Sequence, residues 1–343
     1  MESFMNVLVT GGAGYIGSIT CRQLLESDYQ VVIVDNFYSG HKWAVPPSAV
    51  LVEGSAGDIN LISKTIQNYD IESVIHFAGY IVVSESVKLP LKYYENNVLA
   101  SYNLINACVR SNIKNFIFSS SAAVYGIPEK LPISEEALTI PVNPYGASKL
   151  MTEWMLRDTA ESYQHLDTKN SFRYLALRYF NVAGASIDGI LGEDPPEATH
   201  LIKIACQAAC GLRKSVSVFG DDYNTPDGTC LRDYIHVEDV ASAHVLALRY
   251  LEQEGDSRAL NCGYGKGVSV YEVLNKVREV SGVQFPIERL PRRPGDPAAL
   301  IADPTLIQKI LGWWPKYDDL GIICDSAFRF EKTLKIRNRV AGG

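Results

Sequence analysis

The feature that most limits what this chain can fold into is an apolar pentapeptide running straight into a glycine-rich turn. Asn6-Val7-Leu8-Val9-Thr10 reads as a buried strand, and Gly11-Gly12-Ala13-Gly14-Tyr15-Ile16-Gly17 follows at once. A helix is expected next, over about 15–27. Gly12, Gly14 and Gly17 satisfy GxGxxG, and Gly11, Gly14 and Gly17 satisfy GxxGxxG. Without side chains the turn lets a pyrophosphate approach the backbone, and the helix start offers N–H groups and a favourable dipole. Such a pattern alone also describes ordinary tight turns. Between a strand and a helix it points to a dinucleotide-binding βαβ unit.

The rest of the chain continues that theme. Apolar runs at 31–35, 49–52, 73–77 and 115–119 alternate with helical patterns at 60–69, 97–111 and 146–163. The runs are continuous rather than alternating, which suits parallel strands covered on both faces. Residues 174–179 and 258–262 read as later additions to the same sheet. The expected fold class is α/β, a Rossmann-type doubly wound parallel sheet with a smaller, partly interleaved C-terminal substrate domain. Residues 1–181 form mainly the nucleotide domain, with returning segments near 233–263. Residues 182–232 and 264–343 form mainly the substrate portion, and a cleft is expected between the two. The tail 341–343 is expected to be mobile.

Composition excludes several classes. The chain has 343 residues, 47% of them hydrophobic, enough for a large core. Its 39 acidic against 32 basic residues give a net charge of -7, which argues against a nucleic-acid partner. No apolar run approaches the length needed to cross a bilayer, so no membrane partner is expected. Cysteines at 21, 108, 206, 210, 230, 262 and 324 are odd in number and form no CxxC. With no signal peptide ahead of the first strand, a reducing, cytoplasmic setting is expected. Cys206 and Cys210 share a helical face but lack further ligands, so no metal site is expected.

Asp35 closes the second strand, 18 positions after Gly17. A carboxylate there accepts both ribose hydroxyls of NAD and repels the extra phosphate of NADP; Asn36 follows, so no arginine compensates, and NAD is favoured. Asp58 either faces the adenine end or caps the helix that starts near Asn60.

Tyr145 and Lys149, within Asn143-Pro144-Tyr145-Gly146-Ala147-Ser148-Lys149, are one helical turn apart and share a face. A free tyrosine is a poor base at neutral pH. A lysine cation and a positive nicotinamide ring nearby are expected to stabilise its phenolate. A surface i,i+4 pair is the plainer alternative, which the nucleotide loop argues against. Ser119-Ser120-Ser121 follows an apolar strand and would stand at its carboxyl end. Ser121 is the expected proton relay, although spacing alone does not separate it from Ser120.

These blocks carry a resemblance. With VTGGAGYIGS, the chain shows HFAG at 76–79, YYENNV at 93–98, SSSAAVYG at 119–126 and LRYFNVAGA at 177–185. Further on stand GEDPPEATHLI at 192–202, FGDDYNTPDGTCLRDYIHVEDVA at 219–241 and RRPGD at 292–296. From Asn6 to about Pro315 the chain resembles the UDP-glucose 4-epimerase family of extended short-chain dehydrogenases/reductases. The early motifs mark the broad superfamily; the block at 219–241 is much more specific.

The resemblance implies retained NAD, a UDP-sugar substrate and a homodimer. It implies Ser121, Tyr145 and Lys149 as the catalytic set. Around NAD it implies Gly11, Gly14, Tyr15, Ile16 and Gly17 at the loop, with Asp35, Asn36, Asp58 and Ile59. It adds Phe77, Ala78, Gly79, Asn96, Phe180, Tyr145 and Lys149 around the same cofactor. For the UDP-sugar it implies Ser121, Tyr145, Asn181, His200, Leu201, Ser217, Phe219, Arg232, Arg293 and Leu300. The arginines suit phosphate oxygens; for Arg232, beside Asp233, inter-domain salt bridging is the alternative.

Departures from the family pattern bear on substrate. Ile81 stands where some epimerases carry lysine, Ser84 replaces a common glycine, and the run from Glu53 to Ile59 is expanded. His200 takes a place often held by asparagine and is read either as a ligand for the uridine or diphosphate or as a helix-packing residue. Lys203 replaces a frequent proline and is expected at the surface. Leu300 leaves more room than the tyrosine of some restricted members, which would admit N-acetylated sugars. The implied reaction is reversible C4 epimerisation of a UDP-hexose through a 4-keto sugar. UDP-N-acetylhexosamine, UDP-pentose or UDP-uronate epimerisation and a non-catalytic NAD-binding regulator or scaffold are the rivals; a decarboxylase or dehydratase is disfavoured, because no paired acidic motif stands beside Ser121.

Overall fold

The computed structural model describes residues 5–165, 171–293 and 295–341, the side chains of 164, 165 and 338–341 excepted. The tail expected to be mobile lies, past Ala341, outside the described residues. The first half of the chain runs β1 (Asn6–Thr10), α1 (Tyr15–Glu26), β2 (Gln30–Asp35), β3 (Val50–Glu53), α2 (Ile59–Asn68) and β4 (Ser73–His76). Helices α3 (Val83–Lys88) and α4 (Pro90–Tyr93) follow, then a π-helical turn over Tyr94–Leu99 and α5 (Ala100–Arg110). β5 (Asn115–Ser121), α6 (Pro144–His165) and β6 (Arg173–Tyr179) complete it.

The helical stretch expected from 97 thus starts earlier. Val83, Val87, Leu91, Leu99 and Tyr102 are exposed there, so their spacing does not report a core-facing stripe. α2 shows the opposite case: Asp58 caps it by accepting from the Asn60 and Leu61 N–H groups, and Ile62, Thr65 and Ile66 turn inward.

The remainder runs β7 (Asn181–Ala183), α7 (Leu201–Ala209), β8 (Val216–Phe219), β9 (Leu231–Arg232), β10 (Tyr234–His236), α8 (Val237–Glu252) and β11 (Arg258–Cys262). Then come β12 (Val268–Ser269), α9 (Val270–Ser281), β13 (Ile287–Leu290), β14 (Ala299–Leu300), α10 (Thr305–Leu311) and α11 (Leu320–Ala341). α9 carries a reciprocal cap between Ser269 and Glu272 and stops at left-handed Gly282. The sequence reading does not anticipate α11. Its buried stripe includes Ser326 and Glu331, which blur the apolar period.

Seven parallel strands form the main sheet in the order β11-β6-β5-β4-β1-β2-β3. The segments at 174–179 and 258–262 do join it, side by side. Alternation decides what each face buries. Val7, Val9, Ile33, Ile117 and Leu175 face α1 and α8, where Leu24, Val240, Leu248 and Leu251 meet them. Leu8, Val32, Val34, Phe116 and Phe118 face the other way, onto Ile62, Leu104 and Leu156. A smaller C-terminal unit packs Ile202 and Cys206 of α7 against Val273 and Val277 of α9 and Cys324 of α11. Short pairs form outside the main sheet: β7 with β10, β8 with β13, and β9 with β12 and β14.

Chain direction across the sheet reverses between β1 and β4, and ligands of open α/β sheets bind beyond the carboxyl ends of strands at such a point. All seven cysteines are free thiols. Among the described residues no cluster of His, Cys, Asp and Glu could hold a metal, and no helix is long and apolar enough to cross a membrane.

Candidate active site

The glycine turn lies at the switch point. Gly11 has φ +74°, and a Cβ there would stand 2.7 Å from the Ala78 nitrogen, so β1 and the loop after β4 touch through backbone alone. Phe77 and Ala78 both donate N–H bonds to the Thr10 carbonyl, at 2.9 and 3.1 Å. A Cβ on Gly17 would fall 2.2 Å from the Gly11 oxygen, which keeps α1 tight against the turn. α1 begins after Gly14 with no side-chain cap and no acid in its first turn. That leaves an anion-accepting end. Ile16 is half-buried in the adjoining core, and the Tyr15 hydroxyl donates to the Gly184 carbonyl at 2.6 Å.

Asp35 is buried behind this turn. Its two oxygens accept from the Ala13 and Phe37 N–H groups, at 2.9 and 2.8 Å. Asn36 spends its carbonyl on the Tyr38 N–H. The Asp58 carboxylate does cap α2, the second of its two readings, through one oxygen only; Ile59 is the first residue of that helix. A small-residue cradle, an uncapped helix start and a carboxylate at the next strand end fit a dinucleotide.

The catalytic candidates converge one strand away. Tyr145 and Lys149 occupy the first two turns of α6, over the end of β5. Ser121 lies beside Tyr145, where its side chain draws the phenol pKa down. Lys149 donates to the Ser119 carbonyl at 2.8 Å, and its Nζ lies 6.0 Å from the Tyr145 ring centre. Ser120 separates itself from Ser121: its hydroxyl donates to Glu153 at 2.5 Å. Gly79 brings the loop after β4 alongside, since a Cβ there would stand 3.3 Å from Asn97 Oδ1 and 3.8 Å from Lys149 Nζ. Asn96 donates to Asn97, which in turn holds both backbone groups of Tyr80 and the Ser148 hydroxyl.

The protein alone does not lower the Tyr145 pKa. Burial pushes it up, and the Ser121 side chain opposes that only in part. Lys149, 4% exposed, is itself pushed down to about 8 by burial, with Glu153 opposing. His76, beneath the same site, is held neutral, its pKa pushed down to about 3 by burial and by the Lys149 charge. It bridges the Thr10 and Ser101 hydroxyls at 2.7 and 2.9 Å.

A second cluster lies in the smaller unit. Arg232 is buried and pairs with Asp296, while Arg293 lies over the Phe219 ring at 3.9 Å. Asp233 does not pair with Arg232; its carboxylate accepts from the Tyr264, Gly265 and Ala302 N–H groups. Ser217 and Phe219 lie on β8. Leu300 is the register partner of Arg232 and packs with Phe180 against Tyr125 and Leu150, which links this cluster to the α6 side. Asn181 opens β7, its N–H on the Asp233 carbonyl.

His200 is half-exposed at the N-cap of α7 rather than packed inside, and Leu201 starts that helix. Its Nδ1 lies 2.7 Å from Glu193, which raises its pKa. Lys203 is not at the surface. It is 5% exposed and pairs at 2.7 Å with Glu331, itself 2% exposed, because α11 lies across α7 there. Sequence reasoning overlooks Glu153, Arg178, Asn97 and Asp296. Glu153 had a signal: it continues the stripe of Tyr145 and Lys149 by one more turn.

Residues 7–263 match the model of the NAD dependent epimerase/dehydratase family, and the chain belongs to that family. Among curated proteins, it is 51% identical over 329 residues to the UDP-glucose 4-epimerase of Azospirillum brasilense, covering 96% of this chain and 92% of that one. Among solved structures, the Bifidobacterium longum UDP-glucose 4-epimerase in complex with NAD+ and UDP superposes with a TM-score of 0.89 at 39% identity, over 96% of this chain and 98% of that one. The UDP-Glc/GlcNAc 4-epimerase of Campylobacter jejuni superposes with a TM-score of 0.83 at 45% identity, over 96% and 99%.

Proposed function

We propose that this chain catalyses the reversible C4 epimerisation of a UDP-hexose, UDP-glucose and UDP-galactose foremost, with NAD as cofactor. The observation that carries this is the meeting of the Ser121–Tyr145 pair and buried Lys149 with the glycine turn at one switch point. When bound, NAD would supply a positive charge that favours the Tyr145 phenolate and a reversible hydride acceptor for C4.

The chain's own residues do the rest. Tyr145 takes the C4 hydroxyl proton with Ser121 as relay, and later returns it. With its pKa near 8, Lys149 stays charged at neutral pH, where it steadies the phenolate. Asp35 and the start of α1 would hold the adenosine ribose and the pyrophosphate, Asn36, Asp58 and Ile59 would border the adenine, and Asn96 and the loop Phe77–Gly79 would border the nicotinamide. Arg232 and Arg293 would anchor the diphosphate, bordered by Asn181, His200, Leu201, Ser217 and Phe219. A firm anchor there leaves the sugar free to turn over without escaping. Leu300, smaller than a tyrosine, would leave room on the sugar side for UDP-N-acetylhexosamines as well. Residues 1–181 with 233–263 serve as the nucleotide half and the remainder as the substrate half.

Homodimerisation is supported by Leu91, Leu99, Tyr102 and Trp154, apolar side chains 45–78% exposed on α4, the π-helical turn, α5 and α6. A second copy would bury them. Seven free thiols support a reducing cytoplasmic setting.

The test is incubation of purified protein with UDP-galactose, UDP-GalNAc and UDP-pentoses without added NAD, with products resolved by ion-pair chromatography. Conversion of UDP-galactose to UDP-glucose is expected. Silence on every UDP-sugar, with NAD added, would favour a non-catalytic nucleotide-binding role instead.

A further inference from the structure

Beneath the site lies a buried polar network that the reaction as described does not use. Ser120 and Arg178 are register partners on β5 and β6, and Asn261 of β11 is the next partner in the same row. All three face α6 at the carboxyl end of the sheet. Glu153 descends on them from that helix. Its Oε1 accepts from Ser120 at 2.5 Å and from Arg178 Nε at 3.0 Å, and its Oε2 accepts from Arg178 Nη2 at 2.6 Å. Arg178 also donates to the Tyr125 hydroxyl at 2.8 Å, which donates to Asn261 at 2.7 Å. Ser120, Glu153 and Arg178 are 1, 6 and 7% exposed.

The spacing ties this network to the chemistry. Residues 145, 149 and 153 are successive turns of one helical stripe. They engage three consecutive serines: Tyr145 lies beside Ser121, Lys149 donates to the Ser119 carbonyl and Glu153 accepts from the Ser120 hydroxyl. Two of these contacts are with groups the reaction needs. The third fixes how α6 is rotated over the strand end, and with it the approach of Tyr145 to Ser121. A charged network is not required for stability alone, since apolar residues of similar volume often replace buried ion pairs without loss.

We propose that Glu153 is a positioning residue for the proposed epimerisation, acting with Arg178 through Ser120 to set Ser121 against Tyr145. The inference rests on the function proposed above. Ser120 therefore does not touch the sugar; its hydroxyl is committed to Glu153.

The experiment compares wild type, Ser120→Ala and Glu153→Gln for UDP-galactose turnover, KM, bound NAD and melting temperature. Ser120→Ala leaves the Glu153–Arg178 pair intact and should fold. Both variants should lose about 10- to 100-fold in kcat, the scale of a small misplacement of reacting groups. KM should change by less than about 3-fold, because this network touches neither diphosphate arginine. Bound NAD should be unchanged. Wild-type kcat in Ser120→Ala overturns the proposal. A kcat loss in Ser120→Ala that a folded Glu153→Gln does not share also overturns it, because it would mean that Ser120 acts directly. Should Glu153→Gln fail to fold, Glu153→Asp takes its place, with the same expected split of kcat from KM. An inactive wild type refutes the proposed function itself, and the positioning role falls with it.

Discussion

Lys149→Met should make this protein more stable and nearly inactive. The lysine is 4% exposed, and burial brings its pKa from an ordinary 10.5 to about 8. Each pKa step is worth about 1.36 kcal/mol, so the folded state carries a penalty of about 3 kcal/mol wherever Lys149 is charged in both states. Below pH 8 that penalty is present in full. Between pH 8 and 10.5 the folded protein releases the proton while the unfolded chain keeps it, so this contribution to stability rises with pH.

Methionine fills similar space without the charge. Its gain is reduced by loss of the Ser119 hydrogen bond, about 1.5–3 kcal/mol for a charged donor. The balance favours Lys149→Met by about 1 kcal/mol at pH 7, with a gap that closes toward pH 10. The assay is urea unfolding of both proteins at matched NAD occupancy, from pH 6.5 to 10, beside UDP-galactose turnover. A variant less stable than wild type at pH 7, or a gap indifferent to pH, would refute the claim that burial of this charge is a cost held for function.

Tyr145→Phe should keep its bound nucleotide and lose about 10²- to 10⁴-fold in kcat, as removal of a positioned proton acceptor does; near-normal turnover in purified protein would reject the assignment. Lys203→Met should destabilise by about 3–5 kcal/mol in urea, because it strands the buried Glu331 carboxylate, whereas Lys203→Met with Glu331→Leu should recover most of that loss. Leu300→Tyr should reduce UDP-GalNAc turnover at least about 10-fold while sparing UDP-galactose, read from the two kcat/KM values; equal loss on both would show that Leu300 does not set pocket width.

Much of this protein could be read along the chain because the deciding signals are local. Continuous apolar strands, the turn from Gly11 to Gly17 and the acid at the end of β2 each act within a few residues, and so they announce a doubly wound sheet and a nucleotide. Tyr145 and Lys149 share a face by helical spacing alone. What only tertiary structure decided are pairings across distance. Ser120 and Ser121 are indistinguishable in sequence until Glu153 and Arg178 arrive from another helix and another strand to claim one of them. Lys203 reads as a surface lysine until α11 covers it with Glu331. Arg232 passes over its neighbour Asp233 for Asp296, 64 residues away. The Tyr145 pKa follows the same rule: a motif names the residues, but burial is a property of everything packed around them, and here burial outweighs the neighbouring Ser121 side chain.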